Sequence, residues 1–244
     1  MVRRTEYLEM LQKWKDEQVI KVITGIRRCG KSTLLAMYQQ VLRAQGVGED
    51  QIIYLNFEEL EHEDLLNYKS LYSHIKARLH PEKTTYIFLD EIQQVEGFQK
   101  AVDSLYVKPG VDLYITGSNA YLLSGELATL LSGRYVEINM LPLSFGEFCR
   151  MKDGGDRDAL LGEYMRNGGY PYLVKLSDDA EKVDMYLEGI YNTILVKDIE
   201  ERQRRRETDP NKRKITDLSL LKNISKFLAS SVGSPVSVKS IADY

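Results

Sequence analysis

The sequence predicts an α/β fold in which helices cover both faces of a parallel sheet. Through residues 1–140, short apolar runs alternate with segments whose apolar residues recur every three or four positions. Strands separated by helices are joined by right-handed crossovers, which place the strands parallel. Apolar residues make up 43% of the 244 residues, which is typical of globular proteins and excludes a wholly disordered chain.

The predicted elements follow one another in a regular order. The strands span residues 18–24, 52–57, 85–89, 111–116 and 135–140. Apolar faces mark helices at residues 34–42, 65–79, 98–106 and 121–131. After Pro142 the pattern becomes helical, with helices at 145–151, at 159–165, from Val183 to Leu195, and at 217–230. We therefore expect a core over residues 1–140, a helical domain over 141–205, and a linker with a further module over 206–244.

Cysteine content and charge narrow the class of protein. Cys29 and Cys149 are the two cysteines and cannot form a disulfide framework, which fits a reducing cytosol. The N-terminus lacks the apolar core of a secretory signal, and no apolar run is long enough to span a membrane. The net charge is -3, but the segment Lys197–Lys214 is basic. Such a run is typical of a solvated helix end or linker, and alternatively of a contact site for DNA or an acidic partner.

A phosphate-binding loop follows the first predicted strand. Residues 25–32, GIRRCGKS, match the pattern G-x-x-x-x-G-K-[ST] between a strand and a helix, as this motif requires. Gly25 and Gly30 let the backbone curl so that its N–H groups face phosphate oxygens, and the helix start adds its positive dipole end. Lys31 is predicted to reach the β- and γ-phosphates and Ser32 to coordinate Mg²⁺, while Thr33 is a candidate donor to the α-phosphate.

The whole loop is the candidate nucleotide site. Its residues are Gly25, Ile26, Arg27, Arg28, Cys29, Gly30, Lys31, Ser32 and Thr33. Arg27 and Arg28 are candidates to contact nucleotide or a neighbouring subunit, or to pair with Glu58 and Glu59 after the second strand. The position of Cys29 in the loop suggests that its alkylation would block nucleotide binding.

Two carboxylates end the third predicted strand. Asp90 and Glu91 follow the apolar run YIFL. The carboxyl ends of parallel strands face the crevice in which such sheets bind ligands, so both acids are expected beside the loop. Asp90 is predicted to hold Mg²⁺ through water, and Glu91 to polarise the attacking water as general base.

Three further residues are candidates for catalysis. Ser118 or Asn119, just after the fourth strand, is expected to hydrogen-bond the γ-phosphate or the attacking water, or else to form a local turn. Arg134, just before the fifth strand, is a candidate to stabilise transition-state charge in cis or in trans. The alternative for Arg134 is a structural salt bridge.

These motifs together resemble a known family. The segments GIRRCGKST, YIFLDEIQ, ITGSNAYLLS, LLSGRYVEINMLPLSFGEF and NGGYP are similar to those of bacterial and archaeal P-loop ATPases of the AAA+ superfamily. In particular, they resemble the group with a DEIQ segment and an uncharacterised C-terminal domain, over about residues 1–200. The resemblance implies a three-layer core with a five-stranded parallel sheet in the order 5-1-4-3-2, then a helical lid. It also implies ATP and Mg²⁺ as ligands.

The resemblance carries site residues over to this sequence. It implies Lys31 and Ser32 as nucleotide and Mg²⁺ ligands, Asp90 and Glu91 as metal and water ligands, Ser118 or Asn119 as a polar sensor, and Arg134 as a candidate arginine finger. Ile26 stands where many relatives have proline, which should not disturb phosphate binding.

A winged helix after the lid is a further implication of the resemblance. Its first helix would be residues 215–231 and its second residues 237–244, with Ser237 as N-cap. The turn and recognition helix do not follow in the sequence, so we expect a partial motif.

Three functions are compatible with these features. Glu91 favours a Mg²⁺-dependent ATPase. Such an enzyme is also compatible with assembly into a homo-oligomer. The basic segment and the partial helix-turn-helix favour a nucleotide-gated switch with little hydrolysis that engages DNA or a protein. The loop also permits a small-molecule kinase, but no dedicated acceptor pocket is evident.

Overall fold

A five-stranded parallel sheet forms the centre of the chain. The computed structural model describes residues 2–117, 131, 133–176, 179–194 and 218–242. The strands are β1 (Ile20–Gly25), β2 (Ile52–Asn56), β3 (Thr85–Asp90), β4 (Val111–Thr116) and β5 (Tyr135–Met140). They pair in the order β2-β3-β4-β1-β5. This confirms the predicted α/β fold and the strand order that the family resemblance implies.

Helices precede, connect and follow the strands. In the first part of the chain they are α1 (Thr5–Lys13), α2 (Lys31–Ala44), α3 (Tyr68–Lys76) and α4 (Phe98–Tyr106). After the sheet come α5 (Phe145–Met151), α6 (Arg157–Asn167), α7 (Leu173–Leu176) and α8 (Ala180–Thr193). The predicted helix at 121–131 lies outside the described residues except for Leu131.

The segment between β2 and β3 differs from the prediction of one helix over residues 65–79. A 3-10 helix at Leu60–Leu65 is followed by a separate α3. The break lies at Asn67, whose side chain accepts a hydrogen bond from the backbone N–H of Lys69 at 2.9 Å. Such an N-cap starts a new helix, and the apolar spacing on which the prediction rested does not reveal it.

Apolar side chains pack on both faces of the sheet. Ile20 and Val22 of β1 lie with α3 and α4 on one face, and Ile23 lies with α1 and α2 on the other. Side chains alternate along a strand, so a central strand that is covered on both faces must be almost wholly apolar. Lys21 is the charged residue of β1, and its side chain is fully buried.

Asp112 of β4 neutralises this buried lysine. Lys21 Nζ lies 2.5 Å from Asp112 Oδ1 and donates to the carbonyl oxygen of Glu17 at 2.8 Å. Asp112 Oδ2 accepts hydrogen bonds from the Asp16 backbone N–H at 2.9 Å and from the Tyr114 hydroxyl at 3.0 Å. The pair therefore joins β1 to β4 near the amino edge of the sheet, and hydrogen bonds occupy its remaining polar atoms.

The chain divides into two compact units, Met1–Val183 and Asp184–Tyr244. The first unit contains the sheet. The second contains α9 (Leu218–Ser230) and α10 (Val238–Ala242). Ser237 Oγ accepts a hydrogen bond from the Ser240 N–H at 3.0 Å, which confirms Ser237 as an N-cap. The predicted limits of the domains, the lid and the winged helix stay predictions.

Within the part of the chain that is described, no helix combines the length and the apolar character needed to cross a bilayer.

Asp112→Ala removes the partner of a buried ammonium group. We expect the free energy of unfolding to fall by about 3–5 kcal/mol, because Lys21 would stay buried without a counter-charge. Urea unfolding followed by circular dichroism measures the loss. The matched control is Glu49→Ala, which breaks the exposed Arg43–Glu49 pair and should leave the urea midpoint almost unchanged. Equal midpoints for the two variants would contradict the structural importance of the buried pair.

Candidate active site

The loop between β1 and α2 packs closely against the end of β5. Gly25 has a φ of +153° and Gly30 a φ of +105°. A Cβ atom on Gly25 would lie 2.4 Å from the carbonyl oxygen of Met140, so a larger residue does not fit there. Gly30 adopts a left-handed conformation as the residue before α2, which starts at Lys31. The two glycines of the motif thus meet two requirements, a close approach of backbones and a left-handed turn.

Lys31 is buried and folds back over the loop. Its Nζ lies 3.2 Å from the carbonyl oxygen of Gly25 and 3.5 Å from that of Ile26. Its third neighbour is Glu91 Oε1 at 3.7 Å. The ammonium group therefore has two neutral partners, which are carbonyl oxygens, and one anionic partner, the Glu91 carboxylate. A phosphate oxygen is also anionic and can replace these partners.

Asp90 is fully buried at the end of β3, between hydroxyl groups from both neighbouring strands. Thr116 Oγ1 of β4 donates to Asp90 Oδ1. The Tyr54 hydroxyl of β2 donates to Asp90 Oδ2 at 3.2 Å. Burial, and then the charge of Asp90, raise the pKa of Tyr54, so the phenol remains a donor. Because β3 lies between β2 and β4, the sheet order brings the three side chains together.

Glu91 adopts a left-handed backbone conformation that is rare for residues other than glycine. Its φ is +54°. Its backbone N–H donates to Thr116 Oγ1 at 2.9 Å, so Thr116 contacts both acidic residues. A conformation of this kind costs about 1–3 kcal/mol and is retained where the surrounding structure holds it. The Glu91 carboxylate faces Lys31 through Oε1 and accepts a hydrogen bond from Gln93 Nε2 at Oε2.

Sequence reasoning placed Tyr54 and Thr116 in strands but gave neither a role at the site. Strand register could have identified Thr116. Leu89 pairs with Ile115 in the parallel ladder, so the next residues, Asp90 and Thr116, are neighbours. Asp90 pairs with Asn56 in the ladder between β2 and β3, whereas the Tyr54 hydroxyl reaches Asp90 from a position two residues before Asn56. No sequence pattern indicates that contact.

Ser32 and Thr33 lie in the first turn of α2 and are exposed. Both line an open groove of about 720 Å³ along the outer face of α2, so their hydroxyl groups are accessible to a ligand. Ser32 carries a hydroxyl group and Asp90 a carboxylate, which are oxygen groups of the kind that Mg²⁺ prefers. The described residues contain no cluster of three or more His, Cys, Asp or Glu that could hold a metal alone. One hydroxyl and one carboxylate fit a Mg²⁺ ion whose other ligands are phosphate oxygens and water.

A mostly apolar cavity lies beside the loop. Its lining includes Val2, Thr33, Met37, Met140, Leu143 and Pro171. Arg4, to which sequence reasoning gave no role, is buried at this cavity. Its Nε lies 2.8 Å from Glu147 Oε1 of α5, and its Nη2 donates to the Leu141 carbonyl at 2.8 Å. Arg4 therefore ties the N-terminal segment to the chain that leaves β5.

Cys29 is fully buried, so its place in the loop does not make it accessible. Burial raises the pKa of its thiol, and the charge of Lys31 offsets part of this effect. A buried, protonated thiol reacts slowly, so alkylation of Cys29 in the folded protein should be slow, and its effect on nucleotide binding stays a prediction. Arg27 is half-buried and Arg28 is exposed, with a φ of +66°. Contact of either arginine with nucleotide stays a prediction.

The structure does not bring Arg134 to the loop of its own chain. Its carbonyl oxygen accepts from the Ile20 N–H at the start of β1, whereas the loop begins at the other end of this strand. A strand rises about 3.3 Å per residue, so roughly 16 Å separate the two ends. Arg134 Nη1 lies 3.7 Å from Asp103 Oδ1, and its guanidinium lies 5.5 Å from the centre of the Tyr106 ring. The structure thus supports the salt-bridge alternative and places Arg134 away from the loop of its own chain, while its role as an arginine finger stays a prediction.

Two other predictions fall outside the described residues. They concern Ser118 or Asn119 as the polar sensor and Lys197–Lys214 as a contact site for DNA or an acidic partner. Both stay predictions.

A family model described as an AAA domain matches residues 17–149, which is more than half of the chain. The chain belongs to the AAA family. The match covers the loop, both acidic residues and all five strands of the sheet. AAA domains are P-loop ATPases of the AAA+ superfamily, as the sequence motifs indicate.

Relatives of this AAA domain occur in bacteria and archaea. An uncharacterised protein of Haemophilus influenzae is 42% identical over 248 residues, covering 100% of this chain and 59% of the relative. An uncharacterised protein of Methanocaldococcus jannaschii is 32% identical over 240 residues, covering 92% of this chain and 49% of the relative. The chain therefore spans about half the length of these relatives.

A solved structure shares the fold. The Walker-type ATPase of Pyrococcus abyssi superposes with a TM-score of 0.59 at 15% identity. The superposition covers 100% of this chain and 87% of the other.

Thr116→Val removes the hydroxyl group that joins the two acidic residues but keeps the shape of the side chain. We expect the affinity of the protein–nucleotide complex for Mg²⁺ to fall by about 10–100-fold, because residues that orient a metal ligand have effects of this size. Titration of Mg²⁺ against a bound fluorescent ATP analogue measures the loss. Thr116→Ser keeps the hydroxyl and should restore the affinity. If Thr116→Val binds Mg²⁺ as well as the wild type, the hydroxyl does not orient Asp90.

Proposed function

We propose that this AAA domain binds ATP with Mg²⁺ and hydrolyses the bond between the β- and γ-phosphates. One observation carries the proposal. Lys31, at the phosphate loop, and the Glu91 carboxylate lie 3.7 Å apart. A terminal phosphate held by Lys31 would therefore lie beside a carboxylate that can accept a proton from water.

The surroundings of Lys31 support phosphate binding. A γ-phosphate oxygen would take the place of Glu91 beside the ammonium group, and the N–H groups at the start of α2 would face the phosphates. The exposed hydroxyls of Ser32 and Thr33 are within the same turn.

The chemical step follows from the position of Glu91. As a water oxygen bonds to the γ-phosphorus, the bond from phosphorus to the bridging oxygen breaks, and Glu91 accepts a proton from the water. ADP and inorganic phosphate are the products. Ser32 and Asp90 would hold Mg²⁺, which would supply positive charge to neutralise the phosphate oxygens. Thr116 keeps Asp90 and the Glu91 backbone in a fixed relation throughout.

Glu91→Gln removes the proton acceptor and keeps the size of the side chain. We expect kcat for ATP hydrolysis to fall by about 10²–10⁴-fold, the usual contribution of a general base. Binding of a fluorescent ATP analogue should be retained or strengthened, because the variant no longer competes with phosphate for Lys31. Phosphate release and fluorescence titration measure the two quantities.

Glu96→Gln is the matched control, since it alters an exposed acid five residues further on and should leave both quantities unchanged. A wild-type chain whose hydrolysis is negligible and insensitive to Glu91→Gln would contradict the enzyme and favour a nucleotide-gated switch.

A further inference from the structure

Gln93 is a polar residue of the DEIQ segment to which the proposed chemistry assigns no role. It lies in the 3-10 turn Ile92–Gln94 that follows Glu91. Its Nε2 lies 2.5 Å from Glu91 Oε2. A carboxylate only accepts hydrogen bonds, so the amide nitrogen and not the amide oxygen must face it.

The other end of the same amide has an unmet hydrogen-bonding requirement. Gln93 Oε1 is buried and has no hydrogen-bond partner within the described part of the chain. Burying a carbonyl without a donor costs free energy, so such an atom in a native structure needs an explanation. A ligand that brings a hydrogen to this position would satisfy it.

The two oxygens of Glu91 have different partners. Oε1 faces Lys31, and Oε2 is held by Gln93. When a phosphate takes Lys31 from Glu91, Oε1 becomes available to a water molecule while Oε2 stays fixed. The hydrogen bond from Gln93 therefore determines the direction in which the remaining oxygen points.

We propose that Gln93 is a positioning residue for hydrolysis. Its amide nitrogen orients the Glu91 carboxylate, and its amide oxygen accepts one hydrogen of the attacking water, whose other hydrogen goes to Glu91. This role rests on the proposed ATP hydrolysis. It assigns a function to the glutamine two positions after Glu91 in the chain.

Gln93→Met keeps the length of the side chain and removes both polar atoms. We expect kcat for ATP hydrolysis to fall by about 10–100-fold, as for other residues that orient a catalytic group, with KM for ATP nearly unchanged. Gln93→Glu replaces the donor with a second carboxylate and should be at least as impaired. Gln94→Met, in the same turn but exposed, is the matched control and should hydrolyse ATP like the wild type.

A double-variant comparison separates positioning from a general structural effect. If Gln93 acts through Glu91, then Gln93→Met should add little to the loss caused by Glu91→Gln, because residues that act as a unit are not additive. Fully additive losses would overturn the role, as would a fall in the urea midpoint and in ATP binding that accompanies the fall in kcat.

The remaining outcomes distinguish this inference from the proposed function. Wild-type hydrolysis that Glu91→Gln abolishes but Gln93→Met leaves unchanged or accelerates would overturn the role of Gln93 alone. A wild-type chain that binds ATP without hydrolysing it would overturn the proposed function and this role with it.

Discussion

A buried ammonium group requires anionic or carbonyl partners, and this requirement at Lys31 organises the site. Lys31 is 4% exposed and is held by two loop carbonyls and the Glu91 carboxylate. Moving a charge out of water is costly unless such partners are present. In the proposed function, a phosphate that replaces Glu91 would satisfy Lys31 and at the same moment make a carboxylate oxygen available. Nucleotide binding and activation of the base would therefore be linked through one side chain.

The sheet supplies the rigid frame for this exchange. Asp90 ends β3 and Glu91 follows it, and β3 lies between β2 and β4. The hydroxyl groups of Tyr54 in β2 and Thr116 in β4 both reach Asp90. At the opposite edge, Lys21 and Asp112 join β1 to β4 through a second buried ion pair. β1 carries the loop and β4 carries Thr116, and the two strands are joined near both ends. The ion pair joins them at the amino end, and their ladder of backbone hydrogen bonds runs to Thr116 at the carboxyl end.

The sequence was sufficient to predict what is local in the chain. The loop from Gly25 to Ser32 and the pair Asp90–Glu91 are continuous segments whose chemistry follows from spacing, and the alternation of strands and helices predicted the α/β fold. Contacts between strands were not accessible in this way, because they depend on register and side-chain length. Thr116 is one example. Arg134 is a different case, because strand direction already implied its position: the residue that precedes a parallel strand lies at the edge opposite the ligand crevice.

A crystal structure with Mg²⁺ and a non-hydrolysable ATP analogue tests the link between Lys31 and Glu91 most directly. We expect Lys31 Nζ at hydrogen-bond distance from the β- and γ-phosphate oxygens. We also expect Glu91 Oε1 to be released from Lys31 and bound to a water that faces the γ-phosphorus. A nucleotide bound to the loop while Lys31 still pairs with Glu91 would contradict this link.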